Sequence, residues 1–323
     1  MELPKIGIII ASHISNSKRI IYLNECLQSL TDQSLICPIY LSISFENEEL
    51  KTTFEQTVQI SEPVHLFIRS EKTPQMRHIE SLIPVVKAAG IEWTMFSDDD
   101  DSYHPDRTQV FSQRIHRFLK EIAEHNICKQ PAGIYESMSG RYHEESRHEF
   151  WCYCVSLTVL EEFYIKLYAQ GTIDIIGPII DHRCCDIIFA EYLRRLCLGN
   201  HIFSRIAEPY YNYRIQNNED SVTGYIKEQQ TTIWQPMIVS RPEDIPAYMV
   251  LVNKYLDENL HIYIHDVFLR TSVCCDFDTI LRAELKADYQ YIEHIDECHI
   301  AALKEHHENI KRVIDGLYTS GEP

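Results

Sequence analysis

The first hundred residues alternate between short continuous apolar runs and longer stretches whose apolar positions return every three or four residues. Lys5 to Ala11 (KIGIIIA), Pro38 to Phe45 (PIYLSISF), Val64 to Ile68 and the run from Ile91 to Phe96 are of the first kind, and predict buried strands of a parallel sheet. Between the first two, Asn16 or Ser17 can cap a segment in which Ile20, Ile21, Leu23, Leu27 and Leu30 recur at helical spacing. A second helix is predicted from about Gln75 to Ala89. This alternation predicts a doubly wound α/β fold, in which ligands bind beyond the carboxyl ends of the strands.

Further on, Pro105 opens a helix running to about Glu124, and Gly133 to Ser137 and Phe150 to Ser156 read as strands. From Asp186 the positions Ile187, Ile188, Tyr192, Leu193 and Leu196 restore a helical period, and Asn200 to Arg205 reads as a short strand. Composition shifts near Gly224. Beyond it Tyr248 to Leu256, His261 to Leu269, Thr279 to Tyr291 and Ala301 to Leu317 predict helices. The expected organisation is an α/β domain over residues 1–224 and a small helical domain over 225–323.

One segment carries most of the chemistry. Asp98, Asp99, Asp100 and Asp101 directly follow the strand that contains Trp93, Met95 and Phe96. Alternation along an extended backbone sends Asp98 and Asp100 to one side and Asp99 and Asp101 to the other, so an Asp-x-Asp pair converges on one cation. Hard oxygen ligands of this kind suit Mn²⁺ or Mg²⁺, usually shared with a substrate phosphate. A solvated acidic turn is the plainer alternative, but four like charges at a strand end repel one another unless a cation or helix N-terminus compensates them. Ser12 and His13 after the first strand and Phe45 to Asn47 after the second are expected at the same edge.

Charge narrows the partners. The 323 residues hold 30 Lys and Arg against 48 Asp and Glu, a formal charge of −18, which disfavours DNA or extended RNA. A small nucleotide stays possible, because a bound divalent cation reverses the local field. The 11 cysteines are odd in number and scattered, with no paired C-x-x-C spacing, which predicts reduced thiols in a cytoplasm-like compartment rather than zinc sites. No apolar segment approaches the roughly 20 residues of a membrane span.

With those residues in view, the chain resembles the nucleotide-sugar-dependent glycosyltransferases of the GT-A fold, family 2, from about Lys5 to Thr223. Three blocks carry the resemblance: Tyr22 to Gln33 (YLNECLQSLTDQ); FSDDDDSYHPDR, an Asp-x-Asp strand end before a His-Pro-x-Arg turn; and Cys185 to Thr223, which contains CDIIFAEYLRRL and AEPYYNYRIQNNEDSVT. The resemblance implies a three-layer α/β/α sandwich with a mostly parallel sheet. It implies an inverting transfer from a nucleotide diphosphate sugar to an acceptor hydroxyl of a glycan, with the metal held by Asp98 and Asp100.

It also distributes roles. Asp99 would hold a ribose or sugar hydroxyl, and Ala11, Ser12 and His13 would line the nucleobase site. Asp186, at a helix start, is the candidate base, with a helix cap as its plainer role and Asp181 in reserve. Gln75 and Arg77 fall where related sequences face the donor, and Arg214 matches a late Tyr-Arg pair that contacts the diphosphate. Arg107 either supports the diphosphate or pairs with Asp101 or Asp106 to brace the turn. Trp151 and Tyr153 either stack on a sugar ring or pack in the core, and His143, Glu144, Glu145 and His148 suit an acceptor-side loop. Where relatives carry a uracil-binding aspartate this chain has Glu46, which leaves UDP, GDP and dTDP sugars all open. The C-terminal helices are available for an acceptor or for homo-oligomer contacts.

Two rival enzyme classes lack the residues they need. A sugar-1-phosphate nucleotidyltransferase needs a Gly-rich basic loop after its first strand, and ASHISNSKR has no glycine. A phosphatase of the haloacid-dehalogenase type needs an aspartate nucleophile there, and IGIIIASH has none. The remaining rival is a non-catalytic nucleotide-sugar-binding or scaffolding protein.

Overall fold

The β-branched run near the N-terminus forms the central strand β1 (Ile6–Ile14), which pairs in parallel with β2 (Ile39–Phe45) on one side and β4 (Trp93–Ser97) on the other. β3 (Val64–Ile68) lies beyond β2, and β6 (Gln130–Glu136), β7 (Tyr153–Ser156) and β8 (His201–Ile206) complete a seven-stranded sheet in the order β3-β2-β1-β4-β7-β6-β8. Only β7 runs against its neighbours, since it is antiparallel to both β4 and β6, and β6 is parallel to β8. A two-stranded ladder, β5 (Ser102–Tyr103) with β9 (Tyr211–Asn212), stands apart. The computed structural model describes residues 3–137, 148–197, 199–214, 242–284 and 296–319.

Helices connect the strands. α1 (Ser17–Thr31) is capped by Asn16, whose side chain accepts the Arg19 N–H at 3.2 Å, and α2 (Glu48–Thr57) is capped in the same way by Asn47. α3 (Gln75–Ala88) stops at Gly90, whose φ of +72° is readily adopted only without a Cβ. α4 (Arg107–Glu124), α5 (Leu157–Ala169), α6 (Ile173–Ile180) and α7 (Cys185–Leu196) follow. The chain winds outward from β1 to β3 and then returns to β4, so right-handed crossovers put α1 and α2 on one face and α3 on the other. This is the three-layer, mostly parallel α/β/α sandwich expected from the sequence.

The core lies where the strands are apolar on both faces. Ile8, Ile10, Leu41, Ile43, Met95 and Phe96 are fully enclosed, each worth roughly 1.5–3 kcal/mol of burial. The return point between β1 and β4 is the switch point of the sheet, where an open α/β fold leaves a crevice beyond the strand ends.

The chain divides into two compact units, Met1–Ile215 with Leu317–Pro323, and Gln216–Gly316. The boundary expected at 224, and the run His143, Glu144 and Glu145, lie outside the described residues. The described residues of the second unit are helical. α8 (Ile245–Ser272) is one continuous helix where two were expected, and with α9 (Phe277–Glu284) and α10 (Glu297–Thr319) it encloses Met249, Tyr263, Val267, Ile280, Leu281 and Leu303. Among the described residues no helix is long and apolar enough to cross a membrane. All the cysteines are free thiols.

Candidate active site

The acidic turn sits at the switch point. β4 ends at Ser97, and Asp98 to Asp101 leave the strand in a tight turn rather than continuing extended. The expected alternation of side chains is therefore overturned: consecutive Asp99 and Asp100 share one partner, the Arg19 guanidinium, which bonds Asp99 Oδ1 and reaches Asp100 Oδ2 at 3.1 Å. Asp98 turns to Gln75, whose side-chain amide donates to its Oδ1 at 2.9 Å. Asp101 accepts the backbone N–H of Arg214 at 2.7 Å. Ser12 donates to Asp99 Oδ2 at 2.5 Å. Ser12 and His13 belong to β1 itself, which runs to Ile14, three residues beyond the Ala11 end of the apolar stretch read from the sequence.

Electrostatics explain why this cluster is unusual. Burial, followed by the charges of Asp101, Asp100 and Asp186, pushes Asp98 well above the usual carboxylate range. Burial raises Asp99 to about 6 despite Arg19, and burial with the Asp100 charge raises Asp101 to about 7. Arg19 is pulled down by its own burial, but Asp99, Asp100 and Asp98 outweigh that and hold it above its ordinary value. One bridging guanidinium thus leaves several buried carboxylates undercompensated. That donor set, hard oxygens with surplus negative charge, fits a divalent cation.

Residues of the first and third resembling blocks brace the turn. Gln33 at the end of the YLNECLQSLTDQ block accepts from the Thr108 backbone N–H at 3.1 Å and donates to the His104 carbonyl at 2.9 Å, so it anchors the chain just after the aspartates. Glu25 of the same block pairs with the Arg214 guanidinium, which also donates to the Asp100 carbonyl at 2.8 Å and lies 4.3 Å from the Tyr22 ring. Tyr211 takes the Asp98 backbone N–H on its hydroxyl at 2.9 Å. Trp151 stacks on Tyr211 at 4.1 Å and on Tyr213 at 5.6 Å, while Tyr153 packs in the core.

Arg107 is corrected. Its side chain is 0% exposed, so it neither meets a diphosphate nor pairs with Asp101 or Asp106. It makes a buried ion pair with Glu136 at 2.6 Å, donates to the Trp151 carbonyl at 2.6 Å, and lies 4.0 Å from the Tyr103 ring. The reserve base Asp181 closes α6 and pairs with Arg77 at 2.7 Å, and Arg77 also donates to the Tyr168 hydroxyl. Two expected site residues therefore hold each other. Asp186 lies in the first turn of α7, within reach of the Asp98 charge.

His13 and Glu46, expected from different strand ends, meet directly: His13 Nε2 is 2.9 Å from Glu46 Oε2, and Lys72 reaches the same oxygen at 3.0 Å. The hydrogen bonds from His13 and Lys72 keep Glu46 below its usual range. Ala11, next to Ser12 in β1, is paired with Ser42 of β2. Sequence reading missed Arg19 and His78, the latter buried beneath His13.

A scan against protein-family models finds no match, and neither does a search of curated proteins. Solved structures do resemble the chain. The 1–349 fragment of S. aureus TarS is 10% identical with a TM-score of 0.39, over 98% of this chain and 89% of that one. The same fragment in complex with UDP-GlcNAc gives 12% and 0.38, over 98% and 90%. A cytidylyltransferase from Leptospira borgpetersenii gives 13% and 0.40, over 80% of this chain and 96% of that one.

Proposed function

We propose that the chain is a metal-dependent inverting glycosyltransferase that moves a sugar from a nucleotide diphosphate donor, a UDP-sugar first among them, to an acceptor hydroxyl of a glycan. The observation that carries the reading is the undercompensated aspartate turn at the switch point, tied to β1 through Ser12 and to α3 through Gln75. Asp98 and Asp100 would hold Mn²⁺ or Mg²⁺. Bound there, the ion supplies Lewis-acid neutralisation of the diphosphate.

The remaining work belongs to the protein. Ser12 and Arg19 fix Asp99, which is then placed to accept from a ribose or sugar hydroxyl. Asp186 takes the acceptor proton as its oxygen attacks the anomeric carbon from the face opposite the diphosphate. The new carbon–oxygen bond forms as the bond to the diphosphate breaks, and the nucleoside diphosphate leaves with the electron pair. Its position in the first turn of α7 sets Asp186 against the positive end of the helix dipole. A single displacement of this kind inverts the anomeric centre.

Incubation with a panel of nucleotide sugars and Mn²⁺ tests the reading through released nucleotide. The enzyme reading requires slow donor hydrolysis that Asp100→Asn abolishes. Affinity for the donor with no turnover in any acceptor mixture would instead establish a binding or scaffolding protein.

A further inference from the structure

The floor beneath His13 holds a continuous line of polar groups inside an otherwise apolar sheet. Arg69 Nε donates to Ser42 Oγ at 3.1 Å. Ser42 Oγ is 2.8 Å from His78 Nδ1, His78 Nε2 is 3.2 Å from Ser44 Oγ, and Ser44 Oγ is 2.9 Å from His13 Nδ1. The line ends at His13 Nε2 and Glu46 Oε2, 2.9 Å apart. Ser42, Ser44 and His78 are buried, and His13 is mostly so.

The direction of every proton in this line can be deduced. Arg69 can only donate and ionised Glu46 can only accept. The polarity that runs from one to the other gives each intervening group one bond donated and one accepted: Ser42 hydroxyl to His78 Nδ1, His78 Nε2–H to Ser44, Ser44 hydroxyl to His13 Nδ1, and His13 Nε2–H to Glu46. The reverse polarity fails twice. It leaves the buried Ser42 hydroxyl hydrogen without an acceptor among its described contacts, and it turns the His13 Nε2 lone pair against the Glu46 carboxylate. A doubly protonated His13 beside the Nε2–H form of His78 fails as well, because Ser44 Oγ would then receive from both imidazoles and from the Thr73 N–H at 3.4 Å, and the other His78 form again strands the Ser42 hydroxyl hydrogen. Burial keeps His78 neutral by lowering it to about 4.

We propose that Ser42, His78 and Ser44 form a polarised hydrogen-bond relay that fixes His13 as its Nε2–H tautomer and thereby holds Glu46 as an oriented, ionised acceptor at the carboxyl end of β2. His78 is a positioning residue, acting on the pocket only through Ser44 and His13. Resting on the nucleotide reading above, the consequence is selection of a base that offers a ring N–H, such as uracil, over cytosine, which offers a lone pair at the matching position.

The test is a long-range proton–nitrogen NMR correlation on the full chain with ¹⁵N-labelled histidine, with His13 and His78 assigned by the loss of their signals in His13→Gln and His78→Gln. The relay requires the Nε2–H tautomer at both rings in the wild type. Ser44→Ala, which removes the link between the two rings and leaves both imidazoles in place, is expected to release His13 into a tautomer mixture. It should also weaken UDP binding by about five- to tenfold, the effect of one lost hydrogen bond, while CDP binding stays as weak as before. A wild-type His13 protonated on Nδ1, or a His13 pattern unchanged by Ser44→Ala, overturns the relay. A wild type that binds neither nucleotide overturns the nucleotide reading, and the tautomer spectrum still decides the relay.

Discussion

Asp101 gives the sharpest prediction, because a functional cluster of this kind must weaken the fold that holds it. Its carboxyl is almost wholly buried and moves from 3.8 to about 7, chiefly through burial and the Asp100 charge. The sign follows: the folded state holds this proton more tightly than the unfolded chain, so stability falls as pH rises from about 4 to about 7 and the full penalty stands above that. A shift of about three pH units corresponds to about 4 kcal/mol. Asp101→Asn keeps an oxygen that can accept the Arg214 N–H and removes the charge. In metal-free buffer at pH 8 it should raise Tm by roughly 10 °C, and the gain should shrink below about 1 kcal/mol at pH 4. Thermal melts followed by circular dichroism at both pH values measure it. A variant no more stable than the wild type at pH 8, or equally stabilised at both, would refute the charge-repulsion argument.

Arg107→Met strands the buried Glu136 charge and should cost about 3–5 kcal/mol in urea unfolding, with Glu136→Leu in the same chain recovering part of the loss. For His78, lowered from 6.5 to about 4 by burial, the unfolded chain takes the proton first, so stability should drop by about 3 kcal/mol as pH falls through that window. His78→Asn should flatten that part of the pH–stability curve. Asp186→Asn should lower kcat by about 10²–10⁴ with little change in donor affinity, measured as nucleotide release against direct binding. A hundredfold excess of Mn²⁺ over its Kd should stabilise the wild type by about 3 kcal/mol, and a denaturation curve unmoved by the ion in Asp98→Asn marks the site responsible.

The strands of the sheet and the acidic turn were legible because they are written locally. KIGIIIA, PIYLSISF and the run before the aspartates are apolar on both faces, which suits buried parallel strands, and four adjacent aspartates announce themselves. The turn geometry was not legible: an extended backbone was assumed, whereas the chain bends after Ser97 and lets Asp99 and Asp100 share Arg19. Nothing near Arg19 in sequence points to partners some eighty residues away. α6 was missed because IDIIGPII is short and almost wholly apolar, and its Gly177 and Pro178 read as helix breakers. His78 had a faint signal. Ser42 and Ser44 fall on one side of an otherwise apolar strand, and such a pair in a buried strand calls for a polar partner on the helix above.

The central claim is a divalent ion at the end of β4. Anomalous diffraction from crystals grown with Mn²⁺ and UDP locates manganese directly. The account predicts a peak bounded by the carboxylates of Asp98 and Asp100 and shared with the two phosphates. Manganese elsewhere, or UDP bound with Arg19 still bridging Asp99 and Asp100 and no metal beside them, would contradict it.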